Sequence, residues 1–127
     1  MENLATINPE PTRRFLLVED EAMIAMMMED MLLDMGCEVT AIAPDLESAL
    51  QHAENDAFDA AILDVNLSGV RSYPIADVLR RRSIPYIFTT GYGRAGLDDA
   101  YADAPILQKP FQCADLEQAI TQVLPET

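Results

Sequence analysis

Four charged side chains stand at the ends of apolar runs. Glu19 and Asp20 follow Phe15-Leu16-Leu17-Val18, Asp64 closes Ala60-Ala61-Ile62-Leu63, and Lys109 follows Ile106-Leu107-Gln108 and precedes Pro110. A carboxylate at the end of a buried strand loses solvation unless a cation or hydrogen bonds compensate it. Three acids with one lysine therefore point to a site for a divalent ion and a phosphoryl group. A carboxylate can attack phosphorus to give an acyl phosphate, and Asp64 is the candidate nucleophile. That attack brings an anion to an anion, so cationic groups must offset the repulsion. Magnesium takes oxygen ligands and keeps several of its waters. Asp20 and Asp64 are the candidate direct ligands, and Glu19 is placed to hold one of the waters. Lys109 is a point charge for a phosphoryl oxygen, and Thr90 can donate its hydroxyl to another. Each residue also has a plain structural use: Asp20 as a helix cap, Asp64 as the start of a turn, Lys109 as an ion-pair partner, Glu19 as a solvated acid. Their joint occurrence at strand ends favours the site.

The elements that must position these groups follow from hydrophobic patterning. Short apolar runs at Arg14–Val18, Glu38–Ala43, Ala60–Asp64, Ile84–Thr89 and Ile106–Gln108 read as strands buried on both faces. Amphipathic stretches between them read as helices: Ala22–Met35 with Gly36 as its stop, Asp45–Asn55 with Asp45 as its cap, Pro74–Arg82, a short Ala95–Tyr101, and Ala114–Leu124. Five strand–helix repeats predict an α/β fold with a parallel sheet, helices on both faces and right-handed crossovers. In such sheets ligands sit beyond the carboxyl ends of the strands, near the point where strand order reverses. Residues 19–20, 64, 89–90 and 109 all fall at that edge, although far apart in sequence.

At 127 residues the chain suits one domain with a real core, and half its residues are hydrophobic. Residues 1–13 read as a polar lead-in, 14–124 as the domain and 125–127 as a tail. No apolar stretch approaches a membrane span, and the start lacks a signal-peptide pattern, so a cytoplasmic location is expected. A formal net charge of -14 argues against nucleic acid as a partner. The basic run Arg80-Arg81-Arg82 suits the last turn of a helix. Cys37 and Cys113 form no disulfide framework and read as partly buried free thiols. His52 has no ligand-spaced companion. The first helix carries Met23, Met26, Met27, Met28, Met31 and Met35. They cannot all face the core, and the favoured reading is core filling, with a contact face for a partner as the alternative.

These residues resemble a known family. Val18-Glu19-Asp20-Glu21, Asp64 closing Ile62-Leu63-Asp64, Thr90 after the fourth strand, and Lys109-Pro110-Phe111 are similar to the receiver domain of bacterial two-component response regulators. The resemblance spans about Arg14 to Leu124. It implies a five-stranded, doubly wound, flavodoxin-like (βα)5 fold. It implies a magnesium site at Glu19, Asp20, Asp64 and the carbonyl of Asn66, with Thr90 and Lys109 beside the phosphoacceptor. It also implies a cis Lys109–Pro110 peptide. Phe88-Thr89-Thr90-Gly91-Tyr92 resembles the Phe-Ala-Thr-Gly-x-Tyr signature of an often single-domain subgroup. Thr89 stands where that subgroup has Ala, and Tyr92 comes one place early. Ile106 stands where common receivers carry an aromatic. With Ile106 there, either Tyr92 takes over part of the signalling or the switch rests on movement of the Gly91–Gly93 segment. Gly91, Gly93 and Gly96 permit a mobile loop, with a plain glycine-containing loop as the alternative.

The implied function is a phosphorylation-controlled switch, not an enzyme acting on other molecules. Asp64 accepts a phosphoryl group from a sensor histidine kinase or histidine phosphotransfer protein, with self-catalysed transfer and autodephosphorylation. Output goes to a downstream protein through the face of the fourth helix, fifth strand and fifth helix, or the domain serves as a phosphate sink or relay. A magnesium-dependent phosphatase of the haloacid dehalogenase type is the enzymatic rival. It needs a second Asp two residues after the nucleophile, where Asn66 stands. A flavin- or nucleotide-binding module is disfavoured because Glu-Asp-Glu follows the first strand. A degenerate receiver acting only as an interaction module is the remaining alternative.

Overall fold

The computed structural model describes residues 12–91 and 97–125. Its elements are β1 (Arg14–Val18), α1 (Ala22–Asp34), β2 (Glu38–Ala43), α2 (Leu46–Asn55), β3 (Ala60–Asp64), β4 (Asn66–Leu67), β5 (Val70–Arg71), α3 (Tyr73–Arg81), β6 (Tyr86–Thr90), a 3-10 turn (Asp99–Tyr101), β7 (Ile106–Gln108) and α4 (Cys113–Val123). Five strands form a parallel sheet in the order β2-β1-β3-β6-β7. The order reverses between β1 and β3, which places a crevice above their carboxyl ends.

Burial follows from this layering. Every residue of β3 and β6 is buried, as expected for central parallel strands covered on both faces. One face packs Leu16, Leu63 and Phe88 against α2 and α3, through Ala49, Ala53, Ile75 and Leu79. The other packs Leu17, Ile62 and Ile87 against α1 and α4, through Met28, Leu32, Leu116 and Ile120. Asp45 caps α2, accepting from the backbone N–H of Ser48 at 2.8 Å. Gly36 ends α1 at φ +82, a conformation that costs other residues more.

The structure departs from the sequence reading in several places. The fourth long strand starts at Tyr86 rather than Ile84 and includes Thr90. Ser83 takes a left-handed conformation (φ 59) and the N–H of Ile84 still bonds the Leu79 carbonyl, so Ile84 belongs to the end of α3. A two-stranded hairpin, β4–β5, follows β3 and was not anticipated. In the segment read as a fourth helix, Asp99–Tyr101 forms a 3-10 turn; Tyr92, Gly93, Ala95 and Gly96 lie outside the described residues. The methionines of α1 divide: Met28 is buried, Met31 and Met35 pack on the core, and Met23, Met26 and Met27 are exposed. Both cysteines are free thiols, but neither is partly buried as expected: Cys37 is buried, while Cys113 is exposed at the start of α4. Arg80 and Arg81 occupy the last turn of α3 as anticipated.

Candidate functional site

The carboxyl ends of β1, β3, β6 and β7 deliver their polar residues to one place because parallel strands end at the same edge. Each acid is held by backbone near its own strand end. The N–H of Glu19 donates to the Ala43 carbonyl at 3.1 Å, which extends the β1–β2 ladder by one residue. The Glu19 side chain accepts from the Glu21 N–H at 3.2 Å. Asp64 accepts from the Asn66 N–H at 3.2 Å. Lys109 is tied to β6 by its own N–H, 2.8 Å from the Thr90 carbonyl, and its peptide to Pro110 is cis.

The side chains converge. The Lys109 ammonium lies 3.0 Å from Glu19 Oε1 and 3.1 Å from Asp64 Oδ2. Oxygen atoms of Glu19, Asp20 and Asp64 all fall within 4.8 Å of one another. Asp20, Asp64, Asn66, Thr90 and Lys109 line an open cleft of ≈ 450 Å³. Glu19 lies beneath it, 2% exposed. Of the two adjacent threonines, Thr90 lines the cleft, whereas the Thr89 hydroxyl is buried and has no hydrogen-bond partner among the described residues.

Charge is unevenly balanced here. Burial pushes the Glu19 carboxyl up to about 7, against the hydrogen bond from Lys109, and the neighbouring Asp64 adds to the rise. Burial works against the Lys109 ammonium, but hydrogen bonds to Glu19 and Asp64 and their charges raise its pKa nevertheless. The two shifts describe one contact from opposite sides: the lysine gains from two acids, while Glu19 shares a single cation with a competing carboxylate. Asp20 is only lightly buried, and hydrogen bonds from Ser68 and the backbone outweigh that burial and hold it below the usual range. Lys109 is the cation paired with the converging acids, and one lysine against three carboxylates leaves that cluster of hard oxygen donors net negative. This donor set fits magnesium rather than a softer metal.

Two features escaped the sequence reading. Ser68, at the tip of the β4–β5 hairpin, donates to Asp20 Oδ2 at 2.7 Å, and Arg71 lines the cleft from β5. The signal was present in Ser68-Gly69 between two short runs, a two-residue hairpin pattern.

Residues 15–121 match the family model of the response regulator receiver domain. The chain belongs to this family. This receiver is 33% identical over 112 residues to the transcriptional regulatory protein PdtaR of Mycobacterium tuberculosis, covering 85% of the chain and 55% of PdtaR. It thus spans about half the length of the curated relatives it matches. Among solved structures it is similar to SdrG from Sphingomonas melonis Fr1, with a TM-score of 0.81 and 39% identity over 89% of this chain and 97% of that one. It is also similar to the receiver domain of sensor histidine kinase PA1611 from Pseudomonas aeruginosa PAO1, with a TM-score of 0.77 and 27% identity over 91% of this chain and 100% of that one. That structure holds a magnesium ion in the active site cleft. No helix among the described residues is long and apolar enough to cross a membrane.

Proposed function

We propose that this receiver is a magnesium-dependent phosphoacceptor whose signalling unit spans residues 14–124 and whose modified residue is Asp64. The carrying observation is the convergence of Glu19, Asp20, Asp64 and Lys109 from three strand ends at the head of one cleft. Asp20, Asp64 and the Asn66 carbonyl would hold the ion, with Glu19 behind them. When bound, magnesium neutralises charge on the acids and on the incoming phosphoryl oxygens.

The chain's own groups do the rest. Asp64 is 6% exposed, and its Oδ1 is fixed by the Asn66 N–H, which orients the carboxylate for attack. Lys109, already within hydrogen-bond distance of Asp64, attracts a phosphoryl oxygen as charge develops. Thr90 supplies a hydroxyl from the adjacent strand end. Asn66 has no titratable proton to give a leaving group, which disfavours turnover of phosphate esters. The phosphodonor is a histidine of a sensor kinase or phosphotransfer protein, and the setting is the cytoplasm. The exposed Met23, Met26 and Met27 beside an apolar notch of Ile24, Pro110 and Phe111 offer an adaptable face for that donor next to Lys109.

Incubation with magnesium and acetyl phosphate, read by intact mass, tests the reading. A labile phosphate adduct is expected in the wild type and none in Asp64→Asn. Failure of every donor to give an adduct, or steady hydrolysis of phosphate esters, overturns it.

A further inference from the structure

The β4–β5 hairpin brings a second cation to the cleft. Asn66 and Arg71 are directly opposed across its two strands, so their side chains share one face of the ribbon. Both line the cleft that contains Asp64 and Lys109. The ribbon is held in place at several points. Ser68 and Gly69 form its tip at φ 53 and φ 90, the positive values a two-residue turn demands. Ser68 Oγ is fastened to Asp20, the Gly69 N–H to Asn66 Oδ1 at 2.8 Å, and the Ser72 N–H to the Val65 carbonyl at 2.9 Å. Arg71 is therefore carried by an anchored scaffold, not by a loose loop.

Formal charge shows what Arg71 adds. With all three acids ionised, the converging acids and Lys109 sum to about -2, which one divalent ion cancels, and Glu21 on the cleft wall adds a further negative charge. Converting the Asp64 carboxylate to an acyl phosphate replaces one negative charge by roughly two. The product is then short of at least about one positive charge. Lys109 is already shared between Glu19 and Asp64. A guanidinium bridges two phosphoryl oxygens in a way an ammonium does not.

We propose that Arg71 is a phosphate-facing residue of this site that attracts the anionic phosphodonor and contacts the phosphoryl group on its way to Asp64. The inference rests on the phosphoacceptor reading above. In the step it assists, an Asp64 carboxylate oxygen forms a bond to phosphorus. The bond from phosphorus to the donor's leaving atom breaks, an imidazole nitrogen in a phosphohistidine or the acyl oxygen in acetyl phosphate, and its electron pair departs with the leaving group, imidazole or acetate. Arg71 exchanges no proton. It is exposed, so its contribution is moderated by solvent.

The test compares wild type, Arg71→Gln and Arg71→Lys, using acetyl phosphate at subsaturating concentration with saturating magnesium. Adduct formation is followed by intact mass, and magnesium affinity is measured separately without phosphodonor. Arg71→Gln is expected to slow adduct formation about three- to tenfold, and Arg71→Lys to recover part of the loss. Removing a positive charge from the rim of an acidic cleft leaves magnesium binding equal or tighter. A role confined to holding the hairpin would instead weaken magnesium binding and phosphorylation together, because Ser68 and Asn66 would shift; that result overturns the proposal, as does an unchanged rate in Arg71→Gln. Absence of any adduct in the wild type marks failure of the phosphoacceptor reading itself, and the proposal falls with it.

Discussion

Glu19 sits out of water between one lysine and a second acid, and its protonation state is the clearest residue-level handle on the cleft. In the folded, metal-free protein its carboxyl is pushed up to about 7, chiefly by burial, against an ordinary value of 4.5. A raised pKa means that the fold favours the protonated form. The stability this provides is fully present below about pH 4.5 and is lost as pH rises through about 7. Lys109 is raised as well, from 10.5, so its contribution fades only far above this window. Glu19→Gln keeps shape and removes the titration. In the presence of a chelator, the variant is expected to melt at a higher temperature than the wild type at pH 8, with the gap closing at pH 5. Thermal denaturation across that range checks it. A gap that is constant with pH, or of opposite sign, would show that Glu19 is not the group under strain. Alternation along the strand sends Thr89 and Thr90 to opposite faces without saying which one meets the site; the resemblance selected Thr90, and Thr90 is the one that lines the cleft.

At the scale of elements, most of the fold could be read from the chain because its parallel strands carry near-continuous apolar runs that end in charged or turn residues. β1, β2, β3 and β7 fall within the limits their patterning suggests. The errors have local causes. The apolar Ile84 reads as strand, yet it closes α3. The N–H of Ser83 bonds the Arg80 carbonyl at 3.1 Å and that of Ile84 the Leu79 carbonyl at 2.9 Å, so the helix ends through a left-handed residue that is not glycine. Pro85 then offers only its carbonyl, which accepts from Ala61 at 3.1 Å as the β3–β6 ladder begins. The hairpin β4–β5 was missed because its two-residue strands carry too little periodicity to flank the Ser68-Gly69 turn signal with recognisable strands. The helix ending yields a prediction. Ser83→Gly removes the steric cost of φ 59 without disturbing the two closing bonds. It should stabilise the protein by about 0.5–1 kcal/mol, measured as a higher urea midpoint at unchanged slope. Destabilisation would mean that the Ser83 side chain contributes more than its backbone conformation costs.

At the scale of the whole molecule, the acid–lysine cleft was legible because each member sits at a strand end and parallel topology gathers strand ends. What lies beyond it was not, because it depends on packing between segments that have no common pattern. Ile106 leaves β7 without an aromatic, and the structure supplies aromatic mass from elsewhere. Tyr101 of the 3-10 turn stacks on Tyr73 of α3, centroids 4.4 Å apart and planes 4° from parallel. Phe88 of β6 meets both rings edge-on, at 5.9 and 6.1 Å. Polar contacts fix the arrangement: Tyr101 Oη donates to Asp77 at 2.7 Å, the Asp98 N–H to Tyr73 Oη at 2.9 Å, and Arg80 to the Ala100 carbonyl at 2.9 Å with its guanidinium 4.7 Å from the Tyr101 ring. Burial and the hydrogen bond to Asp77 push the Tyr101 phenol up to about 12, so it stays a neutral donor. Phe88 is two residues before Thr90, and the cluster therefore joins the strand that ends at the cleft to the segment leading into β7. If the cluster holds that segment in place, Tyr101→Ala should cost about 3 kcal/mol through lost ring packing. Tyr101→Phe keeps the stack and loses one hydrogen bond, for about 1 kcal/mol. Urea denaturation of the two variants separates the contributions, and magnesium affinity should stay unchanged in Tyr101→Phe because no cleft ligand is touched. Equal, near-zero costs for both variants would mean that the turn merely rests against α3.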